Sequence, residues 1–247
     1  MNADFSLRYT FIMLSIVFGE KRTFTVDPRF AAYRMNFLPT DVADYADAHT
    51  SPESDVLQRL NRHTHAHVLN PRMLSGHLQG RLLSMISHMI RPRRVLEIGT
   101  FTGYSALCLA EGMAEDGRLI TIDKNEELEL IARRYWAESP FGGQIDLHIG
   151  QASVIIPTLN ETFDLVFIDA DKATYGLYYD LVFDKVRPGG FILSDNVLWS
   201  GKVVEPVKSN DKDTLAVMAF NQKIHHDPRV ENLLLPVRDG ILIARKL

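Results

Sequence analysis

VLEIGTFTGYS, residues 95–105, passes from an apolar run through a glycine-bracketed turn into a second apolar run, ALCLA, at 106–110. A strand, a tight loop and a helix in that order open a βαβ unit, because Gly99 and Gly103 permit backbone turns that side chains resist. The pattern repeats outward from there. Strand-like runs fall at 94–98, 119–122, 145–149, 165–168 and 191–193, with helical periodicity between them. Such alternation predicts a parallel sheet covered on both faces. Upstream, Leu78, Leu82, Leu83, Met85, Ile86, Met89 and Ile90 trace a helical stripe over 75–90 that stops at Arg91-Pro92. Downstream, runs at 230–236 and 240–245 flank Arg238-Asp239-Gly240, a short turn that predicts a closing antiparallel hairpin.

The chain has 247 residues, 46% of them hydrophobic, enough for one large α/β domain. A net charge of -4 and the lack of a long Lys/Arg run remove the usual electrostatic footprint of a nucleic-acid binder, so the expected partner is a small molecule. The single cysteine, Cys108, cannot form an internal disulfide, which suits a reducing cytoplasm. FIMLSIVFG at 11–19 is too short to span a bilayer and lacks a cleavage site, so no membrane partner is expected. Residues 1–34 read as a poorly packed extension or a mis-assigned start, with 35–247 as the single functional domain and a first helix capped by Thr40 or Asp41.

Chemistry collects at the predicted strand ends. FIDADKATY (167–175) and SDNVLW (194–199) each close an apolar run with acids or amides, and ligands of open α/β sheets bind at the carboxyl ends of strands. Asp169, Asp195 and Asn196 are therefore placed to share one hard cation. The loop after the first strand lacks the second and third glycines of the dinucleotide fingerprint, with Phe101 standing where a pyrophosphate needs bare backbone, which disfavours an NAD-dependent oxidoreductase. Asp123, twenty residues after Gly103, ends the second strand where an acid accepts hydrogen bonds from ribose hydroxyls. A cofactor with ribose but no pyrophosphate fits, and S-adenosylmethionine is one whose positive charge suits Glu97, Asp123 and Asp169.

These residues together resemble the cation-dependent class I O-methyltransferases, which include catechol and caffeoyl-CoA O-methyltransferases. The resemblance covers about 40–247 and rests on Met73-Leu74-Ser75 with Gln79-Gly80, VLEIGTFTGYS, LITIDKN, FIDADK, LSDNVLW, FNQKI, DPRVE and LPVRDGILIARK. It implies a Rossmann-like fold with a seven-stranded, mostly parallel sheet, a C-terminal antiparallel hairpin and helices on both faces. It implies Asp169, Asp195 and Asn196 as ligands of Mg²⁺, or of Ca²⁺ or Mn²⁺, and Lys172 as the catalytic base. It implies Met73, Ser75, Glu97, Gly99, Ser105, Asp123, Ala152 and Asp169 as the S-adenosylmethionine site, and Trp199 as the surface on which an aromatic acceptor stacks. A homodimer is a further implication. The chemistry is coherent: a phenol has a pKa of about 10, and a cation with an adjacent amine draws off its proton near neutrality.

Other readings complete the picture. Ser105 can instead cap its helix, Met73 and Trp199 can instead be core, and Lys172 can instead be solvated at a helix start. Gln151 replaces the aspartate of many relatives. The polar stretch 200–214 reads as a mobile specificity lid, and Asp213-Thr214 stands where CoA-ester-using relatives carry an arginine. His63, His65 and His67 lack a supporting carboxylate and read as a solvated helix face, and Tyr175, Tyr178 and Tyr179 as packing or dimer contacts. The reading opposed to an enzyme is a nonenzymatic S-adenosylmethionine-binding scaffold, against which the joint presence of Asp169, Lys172, Asp195 and Asn196 counts.

Overall fold

Side-chain alternation along the strands explains how one sheet carries two cores. In this computed structural model, which describes residues 38–247, Val95, Leu119, Leu165, Phe167 and Leu193 point to one face and pack on Leu83, Ile86, Leu107 and Trp136. Their neighbours Leu96, Ile98, Ile122, Val166, Ile168 and Ile192 point to the other and pack on Ile156, Tyr179, Val182, Phe220 and Ile224. Each such fully buried side chain contributes roughly 1.5–3 kcal/mol. The extension expected at 1–34 lies outside the described residues.

The strands are β1 (Arg94–Ile98), β2 (Arg118–Asp123), β3 (Ile145–Ile149), β4 (Phe163–Ile168), β5 (Val186–Asp195), β6 (Val230–Leu235) and β7 (Ile241–Lys246), in the order β3-β2-β1-β4-β5-β7-β6. Pairing is parallel from β3 through β5, while β7 runs antiparallel to both β5 and β6. The helices are α1 (Thr40–Ala48), α2 (Asp55–His67), α3 (Gly76–Ile90), α4 (Tyr104–Ala110), α5 (Glu129–Ala137), α6 (Ala152–Thr158), α7 (Tyr175–Phe183) and α8 (Lys212–His225). Residues of α2 to α5 cover the first face and those of α6 to α8 the second. The seven-stranded, mostly parallel sheet with helices on both faces matches the expectation. No helix among the described residues is long and apolar enough to cross a membrane.

Local differences have physical causes. The helix read over 75–90 spans Gly76–Ile90 and ends where Arg91 turns left-handed before Pro92. The first helix begins at Thr40 with Pro39 as its N-cap and no side-chain cap bond, so neither Thr40 nor Asp41 caps it. The β6–β7 connection is not a two-residue-scale turn: Leu235 pairs with Ile241, leaving the loop 236–240, in which Arg238 and Gly240 take φ 50° and 86°. Strand register does the functional work. Ile98 pairs with Ile122 on one side and Ile168 on the other, and Ile168 pairs with Ser194. The next residues, Gly99, Asp123, Asp169 and Asp195, therefore line one edge of the sheet.

Candidate active site

That edge is the floor of a cleft of about 1230 Å³ lined by, among others, Met73, Ser75, Gly99, Ser105, Asp123, Ala152, Asp169, Lys172, Asp195, Asn196 and Trp199. Every sequence-predicted site residue reaches it except Glu97, which is buried beneath the loop after β1. The cleft has two chemically distinct ends.

At the first end, Gly99 takes φ 104°, and a Cβ there would lie 1.8 Å from the Asp169 carbonyl oxygen, so only glycine lets β1 and β4 approach this closely. Asp123 braces the same loop. Its Oδ2 accepts from the Thr100 and Phe101 amides at 3.0 and 2.8 Å, and its Oδ1 accepts from Asn125 N at 2.9 Å. Glu97 Oε2 accepts from Thr121 Oγ1 at 2.6 Å, which itself bonds Thr100 Oγ1 at 2.6 Å, whereas Glu97 Oε1 has no partner among the described residues. Burial pushes the Glu97 carboxyl up to about 8, opposed by the Ser105 and Thr121 hydroxyls and reinforced by Asp169 and Asp123. A buried acceptor without a donor fits a ligand that brings a cationic N–H group. Ser105 is not a cap: Gly103 holds the N-cap position, and Ser105 lies inside α4, facing Glu97. Met73 is exposed rather than core, and Ser75 is buried.

At the second end, Lys172 is the hub. It is only 7% exposed, which rules out the solvated reading. Its Nζ donates to Asn196 Oδ1 at 2.8 Å, to the Tyr175 hydroxyl, and more weakly to Asp169 Oδ1 at 3.4 Å. The Tyr175 hydroxyl then donates to the Asp195 carbonyl at 3.0 Å. Trp199 is partly buried, with its ring 5.8 Å from Lys172 Nζ, facing the cleft rather than the core. Asp195 accepts from Asn196 N at 2.7 Å and from Gln79 Nε2 at 2.5 Å. Burial, then the nearby Asp169 charge, pushes its carboxyl up to about 6, against the pull of Arg238, Gln79 and Lys172.

The donor set can hold a divalent cation. Two carboxylates and an amide oxygen meet around Lys172, hard donors of the kind Mg²⁺, Mn²⁺ or Ca²⁺ takes, and a cation would offset the mutual repulsion of Asp169 and Asp195. Among the described residues no group of three or more His, Cys, Asp and Glu is assembled for a metal, so a third protein donor to a cation here would have to be the amide. His63 and His67 lie on α2 with ring centroids 4.8 Å apart and planes tilted by 49°.

Four participants escaped sequence reading. Tyr175 was read as packing, yet its hydroxyl ties Lys172 to the Asp195 backbone. In sequence, Gln79 carries no site role of its own, and Arg238 and Asp239 read only as turn residues. Gln79 contacts Asp195, Arg238 contacts Gln79 and Leu74, and Asp239 accepts from Ser200 N. Nothing in the spacing of 79, 175, 195 and 238 announces that they meet; only the fold does.

Comparison with known proteins bears on this geometry. The O-methyltransferase family model matches residues 47–247. The chain is 33% identical over 211 residues to "Probable caffeoyl-CoA O-methyltransferase 2" of Dictyostelium discoideum, covering 83% of this chain and 91% of that protein. It is 36% identical over 177 residues to "Catechol O-methyltransferase domain-containing protein 1" of Mus musculus, covering 68% and 66%. Among solved structures, the O-methyltransferase from Bacillus cereus in complex with SAH superposes with a TM-score of 0.77 at 29% identity, covering 84% of this chain and 97% of that one.

Proposed function

The chain belongs to the O-methyltransferase family, and from that premise we propose that it transfers a methyl group from S-adenosylmethionine, with a divalent cation, to a hydroxyl of a catechol-like or otherwise hydroxylated aromatic small molecule. The observation that carries the reading is the buried Lys172 Nζ held among Asp169, Asn196 and Tyr175 at the mouth of the cleft. The ammonium donates to all three oxygens; in its neutral form, with one of those donations given up, the amine is positioned to take the proton of an acceptor hydroxyl. Bound in the cleft, the cation would lower the pKa of an acceptor hydroxyl and S-adenosylmethionine would offer an electrophilic methyl group.

The chain's own residues do the rest. Asp169, Asp195 and Asn196 hold the cation. Trp199, with its ring beside Lys172, offers an aromatic face for the acceptor. Glu97 does not line the cleft, so its buried Oε1, unpartnered among the described residues, would meet the cofactor's ammonium group only if the loop after β1 shifts on binding; Asp123 stands at the end of β2 for its ribose, and Gly99, Ser75, Ser105 and Ala152 shape the walls, with Met73 over them. Orientation of two bound reactants supplies much of the rate in a displacement that needs no covalent enzyme intermediate. We read the protein as cytoplasmic, in keeping with its single cysteine, as acting on small molecules, in keeping with its charge, and, from its family resemblance, as a homodimer.

Incubation with labelled S-adenosylmethionine and a panel of catechols, in Mg²⁺ or in EDTA, tests the proposal. The expected result is methyl transfer to at least one catechol that EDTA abolishes and added Mg²⁺ restores. Transfer that survives EDTA would remove the cation from the mechanism. Tight S-adenosylhomocysteine (SAH) binding with no transfer to any hydroxylated aromatic would favour a non-catalytic binding protein.

A further inference from the structure

We propose that Arg238, in the loop between β6 and β7, is a positioning residue that holds the candidate cation ligand Asp195 in register with the segment covering the cofactor end of the cleft. The inference rests on the reading that Asp195 holds a cation. Arg238 does not touch Asp195; it acts through Gln79.

The backbone gives the first indication. Arg238 sits at φ 50°, in the left-handed region where a residue with a Cβ is strained and glycine is not. A bulky cation at a position that glycine would fill more easily calls for a compensating role. Its guanidinium provides one. Nη1 donates to the Leu74 carbonyl at 3.2 Å and to Gln79 Oε1 at 3.1 Å. Gln79 is 1% exposed, and its other amide atom, Nε2, donates to Asp195 Oδ2 at 2.5 Å. The orientation of that amide is forced. An arginine can only donate and a carboxylate can only accept, so oxygen must face Arg238 and nitrogen must face Asp195. The second oxygen of Asp195 is held by Asn196 N. The arginine thus sets one side of a buried ligand and, through Leu74, the neighbouring Met73–Ser75 wall.

The adjoining residue secures the opposite wall. The Asp239 carboxylate accepts from Ser200 N and its carbonyl accepts from Leu198 N at 2.8 Å. Two consecutive residues of the C-terminal hairpin loop therefore fasten the Met73–Ser75 segment over the cofactor end and the Leu198–Ser200 segment of the acceptor end, which lie far apart in sequence.

Charge and geometry predict opposite results, which makes the idea testable. A guanidinium repels a nearby cation, so an electrostatic role alone predicts that Arg238→Gly binds a cation more tightly. Positioning predicts weaker binding. The experiment titrates the full chain, Arg238→Gly, Gln79→Leu and the double variant with Mn²⁺ alone, reading free Mn²⁺ by electron paramagnetic resonance, with thermal melts of each. The expected result is an approximately tenfold loss of Mn²⁺ affinity in Arg238→Gly, with a cooperative melt showing that the variant is folded at the titration temperature, relief of the φ strain offsetting part of the lost hydrogen bonds. Gln79→Leu should lose a similar factor, and the double variant no more than either, because the two act in one chain of contacts. Unchanged or tighter Mn²⁺ binding in Arg238→Gly, with the parent binding normally, overturns the inference and leaves the cation reading intact. Should Arg238→Gly not fold, normal Mn²⁺ affinity in Gln79→Leu overturns it equally. A parent protein that binds no Mn²⁺ removes the cation reading and this inference with it.

Discussion

The two ends of the cleft are built by different means. The cofactor end turns its backbone mainly with glycine, at Gly99, Gly103 and Gly150, with Asn70 and Phe101 also at positive φ, and fixes it with bonds from Asp123 to a loop 22 and 23 residues before it, within one βαβ unit. The acceptor end uses glycine too, at Gly201 and Gly240, but also turns its backbone at Asn196, Trp199, Ser200 and Arg238, all at positive φ with side chains intact, and fixes it with side-chain contacts between segments as distant as 79, 195 and 238. Strain held by long-range contacts is characteristic of sites that must orient reacting groups. One end is a cradle made locally, and the other is an assembly made by the whole fold.

The two ends meet at Gly99, and the largest expected effect lies there. A Cβ at this position would sit 1.8 Å from the Asp169 carbonyl oxygen, a backbone atom that cannot swing aside. Gly99→Ala should therefore destabilise the protein by about 4 kcal/mol or more and weaken both SAH and Mn²⁺ binding, read by urea unfolding and by titration. Loss of SAH binding alone would show that the ends are mechanically independent. Lys172→Ala comes next and separates them: turnover should fall about a hundredfold or more while SAH affinity stays at its parent level. Unchanged turnover would remove the lysine from the chemistry.

The same contrast explains what the sequence discloses. Glu97, Gly99 and Asp123 are legible because a glycine-bracketed loop and the acid twenty residues on belong to one βαβ unit, whose geometry is local. Asp169, Asp195 and Asn196 are legible because apolar strands end on them, and parallel register puts those ends on one line. Tyr175 was not, because an aromatic at the start of a helix reads as core until its hydroxyl is seen on Lys172. Arg238 was not, because a positive φ in a residue other than glycine leaves no mark in the sequence, and its partners lie 159 and 164 residues away.

A third test concerns only the cofactor end and uses pH. Glu97, pushed up to about 8 by burial, holds its proton more tightly when folded than when unfolded. Its contribution to stability is therefore complete below the ordinary glutamate value of about 4.3 and is lost as pH rises towards 8. The ligand-free protein should lose stability across that window, and Glu97→Gln should flatten the loss. Binding runs the other way. If Glu97 must be ionised to receive an ammonium group, SAH affinity should rise about tenfold between pH 7 and 9 in the parent and stay level in Glu97→Gln. Calorimetry in buffers of different ionisation enthalpy should show a proton released on binding at pH 7. Binding without proton release would place the ammonium group elsewhere.

The smallest expected effect probes the acceptor end by removing one atom. Tyr175→Phe deletes the hydroxyl that accepts from Lys172 Nζ and donates to the Asp195 carbonyl, and leaves the ring packed edge-on against Phe220 at 5.4 Å. Volume is conserved and the ring is fully buried, so the fold should persist. Two hydrogen bonds disappear, worth about 1 kcal/mol each, and no other side chain among the described residues donates to the Asp195 carbonyl. Lys172 retains Asn196 and Asp169 as acceptors, so its amine loses one of three restraints rather than its place. Turnover should drop about fivefold to tenfold, as one or two such bonds predict, with SAH affinity unchanged and the acceptor KM raised less than kcat is lowered. A drop as large as that of Lys172→Ala would make the tyrosine hydroxyl part of the proton path. No drop at all would mean that Asn196 and Asp169 suffice to hold the amine, and that the acceptor end depends on fewer distant contacts than its hydrogen bonds imply.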